Sequence, residues 1–152
     1  MLGHLFSWLE NFLPLSAKER KKVMRFGRLI ESRASMEKIR RYVDGISIDA
    51  RDGHGRTLLH HAAKSSNDRE IIEFLVNRGD TVNAKDKDGS TPFHYAAASN
   101  PHADILSALK ELGADTGARD NFGERAWEKA SQNSSPKVHS FLAGLWPKSQ
   151  LG

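Results

Sequence analysis

Three kinds of side chain recur at spacings that invite a chemical reading. His60, His61 and His94 are candidate metal ligands or general bases; Asp52, Asp86 and Asp120 form a row of carboxylates; Arg51, Lys85 and Arg119 form a row of cations. A helical zinc enzyme needs two histidines four residues apart with a glutamate between them. His60 and His61 are adjacent and His94 lies 34 residues beyond His60, so that pattern is absent. Each aspartate stands three residues before a glycine, at 55, 89 or 123, where an Asp side chain bonds its own turn backbone. There is no glycine-rich phosphate loop. There is no cysteine, which excludes a disulfide, a thiolate metal site and a cysteine nucleophile. No catalytic residue, cofactor or metal is expected, and the chain does not read as an enzyme.

These residues share a frame. Gly55-Arg56-Thr57-Leu58-Leu59-His60-His61-Ala62-Ala63 recurs as Gly89-Ser90-Thr91-Pro92-Phe93-His94-Tyr95-Ala96-Ala97, and a worn copy follows as Gly123-Glu124-Arg125-Ala126-Trp127-Glu128-Lys129-Ala130. The period is 34, and Ala50, Ala84 and Ala118 keep the register of the aspartates. Each of the first two copies leads into an apolar helical pattern, Ile71-Ile72-Glu73-Phe74-Leu75 and Ile105-Leu106-Ser107-Ala108-Leu109, that stops at Gly79 or Gly113. A fixed period of this length means stacked units that share a thin core. Hydrophobic content of 38% suits that design.

The second copy, Thr91-Pro92-Phe93-His94-Tyr95-Ala96-Ala97, resembles the ankyrin repeat signature, and the first departs from it by Leu58 in place of proline. The resemblance implies an all-α ankyrin-repeat solenoid, built of helix-turn-helix units plus β-hairpin loops, with N-terminal capping helices. The expected organisation is an N-terminal segment of amphipathic and basic helices over 1–27, which would cap the fold, dock a partner or meet a membrane, and a repeat domain over 28–146. Within it lie a degenerate first repeat at 28–54, repeats at 55–88 and 89–122, and a C-terminal capping repeat at 123–146, with a tail at 147–152. The third copy lacks the Thr and the His, as a terminal unit with one stacked side can. In this family the repeat histidine bonds backbone and the repeat threonine, which implies a structural role for His60 and His94.

The net charge of +4 is unevenly spread. Residues 16–41 carry ten Lys or Arg and three Glu, a balance of +7, which leaves −3 for the rest. Leu2, Leu5, Phe6, Leu9, Phe12 and Leu13 follow helical spacing beside Trp8, and Pro14 ends that element. Ser16 to Glu19 forms a capping box for a second helix, with Val23, Phe26 and Ile30 inward and Lys18, Lys21, Arg25 and Arg28 outward. No apolar run approaches the roughly 20 residues that span a bilayer. The expected location is cytoplasmic, with a membrane-peripheral position as the alternative.

The resemblance also implies a function, non-catalytic protein binding as an adaptor, inhibitor or effector, and a surface for it. The hairpin tips and inner helices make the contacts in this family. By position these are Arg51, Gly53, His54 and Arg56, then Lys85, Lys87, Asp88 and Ser90, then Arg119, Asn121, Phe122 and Glu124, joined by Lys64, Tyr95 and Ala98. The cations at 51, 85 and 119 would align as a basic row facing an acidic patch on the partner. Two other readings compete. Residues 1–33 would anchor a peripheral adaptor on an anionic membrane, or the basic helix would contact nucleic acid.

Overall fold

Short polar signals divide the apolar segments into helices throughout residues 17–146, the part described by the computed structural model. In chain order the helices are α1 Ala17–Glu31, α2 Met36–Val43, α3 Leu58–Ser65, α4 Arg69–Arg78, α5 Pro92–Ser99, α6 Ala103–Glu111, α7 Ala126–Lys129 and α8 Pro136–Leu145, with a 3₁₀ turn Ala130–Gln132 continuing α7. Among the described residues there is no strand. The hairpins are paired turns, with one isolated bridge between Arg119 and Arg125. The apolar N-terminal helix expected over residues 2–13, the cap at Ser16 and the tail at 147–152 lie outside the described residues.

Each boundary has a local cause. Ser35 and Ser135 accept the N–H groups of Lys38 and Val138 in the first turns of α2 and α8, and Pro92 and Pro136 open α5 and α8, where a missing N–H costs nothing. Asp68 Oδ1 accepts the Glu70 N–H at 2.9 Å to start α4. Gly79 ends α4 with φ 113°, and Gly113 follows α6 with φ 97°, conformations that a side chain would strain.

The helices stack in two rows. The inner row runs α1 on α3, α3 on α5 and α5 on α7; the outer row runs α4 on α6 and α6 on α8. One continuous core threads them, from Val23, Phe26 and Ile30 through Leu58, Leu59, Ile72 and Leu75 to Phe93, Leu106, Leu109, Val138 and Leu142. Alanines 62, 63, 96 and 97 let successive inner helices approach closely. The expected inward face of α8 holds for Val138 and Leu142, which are buried, while Phe141 and Leu145 are half-buried.

The expected boundary between residues 27 and 28 falls inside α1. This helix is continuous and occupies the inner row, with Val23, Phe26, Gly27 and Ile30 buried. Gly27 is required by contact. A Cβ there would lie 2.6 Å from His61 Nδ1, so the glycine makes room for the next inner helix.

Candidate functional site

Three hairpins project beside the inner row, and each is built on its buried aspartate. Asp52 Oδ1 accepts the N–H groups of His54 and Arg56 at 2.8 and 3.1 Å. Asp86 accepts those of Asp88 and Ser90 at 3.0 and 2.9 Å, and Asp120 those of Phe122 and Glu124, both at 2.9 Å. The following glycine turns the chain back with φ between 74° and 80°. Adjacent hairpins are joined by backbone, Lys87 N–H to the His54 carbonyl at 3.0 Å and Asn121 N–H to the Asp88 carbonyl at 2.9 Å. This is the turn role expected for the three aspartates, and their first oxygens are consumed by it.

The second oxygen of each aspartate meets a different side chain at the same repeat position. Asp52 Oδ2 takes His61 Nε2 at 2.9 Å and Arg56 Nε at 2.7 Å; Asp86 Oδ2 accepts the Tyr95 hydroxyl at 2.7 Å; Asp120 Oδ2 pairs with the Lys129 ammonium at 2.7 Å. Burial opposes the charge of Asp52. The N–H groups of Arg56 and His54, with the His61 and Arg56 side chains, nevertheless hold its pKa below the usual carboxylate value. Burial also opposes the charge of Asp120, which Lys129 and two backbone N–H groups outweigh. Burial and the bond to Asp86 push the Tyr95 hydroxyl up.

His60 and His94 bridge repeats, as their shared position implied. The Thr57 N–H points at His60 Nδ1 from 3.1 Å, so Nδ1 is the acceptor and Nε2 carries the proton. Nε2 then donates to the Ser90 carbonyl of the next hairpin at 3.0 Å. His94 repeats the arrangement with Thr91 behind it at 3.2 Å and the Glu124 carbonyl ahead at 3.1 Å. Burial pushes His60 down to about 4 and lowers His94 too, so both are neutral near pH 7. No histidine, cysteine and carboxylate group of three that could hold a metal occurs among the described residues.

The residues proposed for partner contact separate into three sets. His54, Lys85, Lys87, Asp88, Arg119, Asn121, Phe122 and Glu124 are exposed along the tips. Phe122 is 71% exposed, with the Lys129 ammonium 5.9 Å from its ring centre. Arg51, Arg56, Lys64 and Tyr95 are half-buried. Arg51 donates to the carbonyls of Gly55 and Lys85 at 2.8 and 2.9 Å, and Arg119 to that of Gly123 at 2.6 Å. Two of the three cations in the expected basic row therefore brace hairpins. Ser90 is 6% exposed, which corrects its place among the tip residues. Its carbonyl and N–H are both spent on the frame, and its side chain lines a shallow depression with Asp88, His94, Tyr95, Ala98 and Lys129.

Several framework residues escaped the sequence reading. Asn100 Nδ2 donates to the carbonyls of Ala63 and Ser66 at 2.9 and 2.8 Å, while its Oδ1 accepts the His102 N–H. Asn133 does the same with Ala97, Asn100 and Ser135. Asn83 ties the next hairpin by Gly113 and Asp115. The available signal was an asparagine after each of the last two inner helices, where the amide is both donor and acceptor.

A family model described as Ankyrin repeats (3 copies) matches residues 30–120 and again 59–144. Among curated proteins, none matches the chain.

Proposed function

The chain belongs to the ankyrin repeat family, and on that premise we propose that its hairpin tips and inner-helix surface bind a partner protein without catalysis. Members of the family are generally protein–protein interaction modules and are typically non-catalytic. The observation that carries the reading is a division of labour. Asp, His and Asn side chains consume the backbone groups that hold the hairpins, while His54, Lys85, Asp88, Phe122 and Glu124 point out from them. A rigid frame loses little entropy on binding.

The hairpins are graded in charge. Arg51 and Arg56 exceed Asp52 by one; Lys85 and Lys87 balance Asp86 and Asp88; Arg119 falls one short of Asp120 and Glu124. With Asp86 buried, the exposed Lys85, Lys87 and Asp88 leave the second hairpin positive at its surface, so the partner sets acidic groups against the first two hairpins and an apolar group against Phe122, which has the character of a hot spot. Affinity capture from source cells with three baits tests this: the unaltered chain, Phe122→Ala and Lys85→Glu. Both changes are at exposed positions and leave the frame intact. A protein lost by both variants supports the tip surface, and one held equally by all three baits refutes it.

A further inference from the structure

Among the described residues α1 packs with one face only, burying Val23, Phe26, Gly27 and Ile30 against its neighbours. Helical periodicity sets Lys18, Lys21, Arg25 and Arg28 on the opposite side as one stripe, about 15 Å long at a rise of about 1.5 Å per residue. All four are exposed. The ion pairs near this end of the stack, among the described residues, engage Lys22, Arg40 and Arg41 and none of the four. Like charges three and four residues apart repel along a helix, so a single-sign stripe is a poor choice for a merely solvated end.

Two further features bear on what the stripe meets. Met24 lies on the same exposed side and is 47% exposed, an apolar group among cations. The sequence just before α1 carries Leu5, Phe6, Trp8, Leu9, Phe12 and Leu13. Cations preceded in the sequence by apolar and aromatic residues fit the boundary between headgroups and acyl chains, where stable attachment takes two signals together. Nucleic acid is matched less well. The exposed side of α1 has no aromatic residue to stack on a base and no amide or hydroxyl side chain to read one.

We infer that the Lys18–Lys21–Arg25–Arg28 stripe of α1 binds a membrane surface of acidic phospholipid headgroups. The site is separate from the hairpin tips, so it stands whether or not a protein binds there.

The test is co-sedimentation of the full chain with phosphatidylcholine vesicles, with and without phosphatidylserine. The chain pellets with the acidic vesicles, stays in solution with the neutral ones, and is released by added salt. Changing the four cations to Glu weakens binding on the order of 1,000-fold, taking about 1 kcal/mol for each lost attraction as a floor. A Gln version at the same positions gives a smaller loss and guards against a folding effect, which circular dichroism also checks. No binding to acidic vesicles, or equal binding by the unaltered and Gln chains, overturns the inference. Tighter retention on an RNA or DNA oligonucleotide than on acidic vesicles at physiological salt also overturns it, and assigns the stripe to nucleic acid.

Discussion

Where the interior repeats carry His60 and His94, the terminal repeat carries Glu128. All three accept the N–H of the residue three positions earlier, Thr57, Thr91 or Arg125, the last at 2.6 Å. Only the histidines also donate forward, to the Ser90 and Glu124 carbonyls. An ionised carboxylate has no proton to give, and after Glu128 no further hairpin follows among the described residues. The neighbouring position differs in charge instead. Tyr95 gives its aspartate a neutral, half-buried hydroxyl, while Lys129 gives a charged ammonium that also reaches Glu124 at 3.4 Å. At the histidine position an interior residue serves two repeats, whereas Glu128 serves only its own.

The sharpest way to break the comparison is to exchange the two chemistries. His60→Glu places an acceptor against the Ser90 carbonyl in a fully buried site and should cost about 3–5 kcal/mol. Glu128→His should change stability by less than about 1 kcal/mol, since half-buried Glu128 makes one backbone bond that histidine can also accept. Urea unfolding of both variants checks this; equal losses would mean that forward donation is not what separates the sites.

Acid should affect the interior frame in the same direction. Folding keeps His60 neutral and lowers its pKa from 6.5 to about 4. Protons therefore bind the unfolded chain first, so stability is full above pH 6.5 and drains as pH falls towards 4. The loss from this residue approaches about 3 kcal/mol, and His94 and His61 add to it in the same sense. Asp52 and Asp120, with pKa values held low, extend the loss to lower pH. Thermal unfolding from pH 7.5 to 4 measures the slope, and His60→Gln should flatten it.

Glycines sharpen the contrast at a smaller scale. Gly89 and Gly123 both have positive φ, but a Cβ at Gly89 would lie 2.9 Å from the Asn121 backbone nitrogen, while at Gly123 nothing lies within 4 Å. Gly89→Ala should cost about 2–3 kcal/mol, strain and crowding together, and Gly123→Ala about 1 kcal/mol from strain alone. The difference between their unfolding midpoints is the readout.

The smallest difference between paired sites concerns the second oxygens. Tyr95→Phe should cost about 1 kcal/mol, and Lys129→Met somewhat more, because a buried carboxylate then loses a charged partner. A Tyr95→Phe loss larger than the Lys129→Met loss would mean that packing, not charge, governs this position.

The chain alone determined the repeat. The period of 34 is read directly along the chain, and the aspartates before their glycines and the helix stops at Gly79 and Gly113 are relations between residues a few positions apart, so backbone geometry enforces them locally. The apolar pattern of α1, with Val23, Phe26 and Ile30 inward, was legible for the same reason. What lay beyond the sequence were partners one period away. Asn100 reaching back to Ala63 and Ser66, Arg51 reaching forward to the Lys85 carbonyl, and Gly27 yielding space to His61 depend on how closely neighbouring units approach. The position shared by His61, Tyr95 and Lys129 was visible as a column of unlike residues, but only stacking and burial gave it one task. A local bond needs only the chain's own turn, whereas a bond between repeats exists only once the shared core has fixed the distance between them.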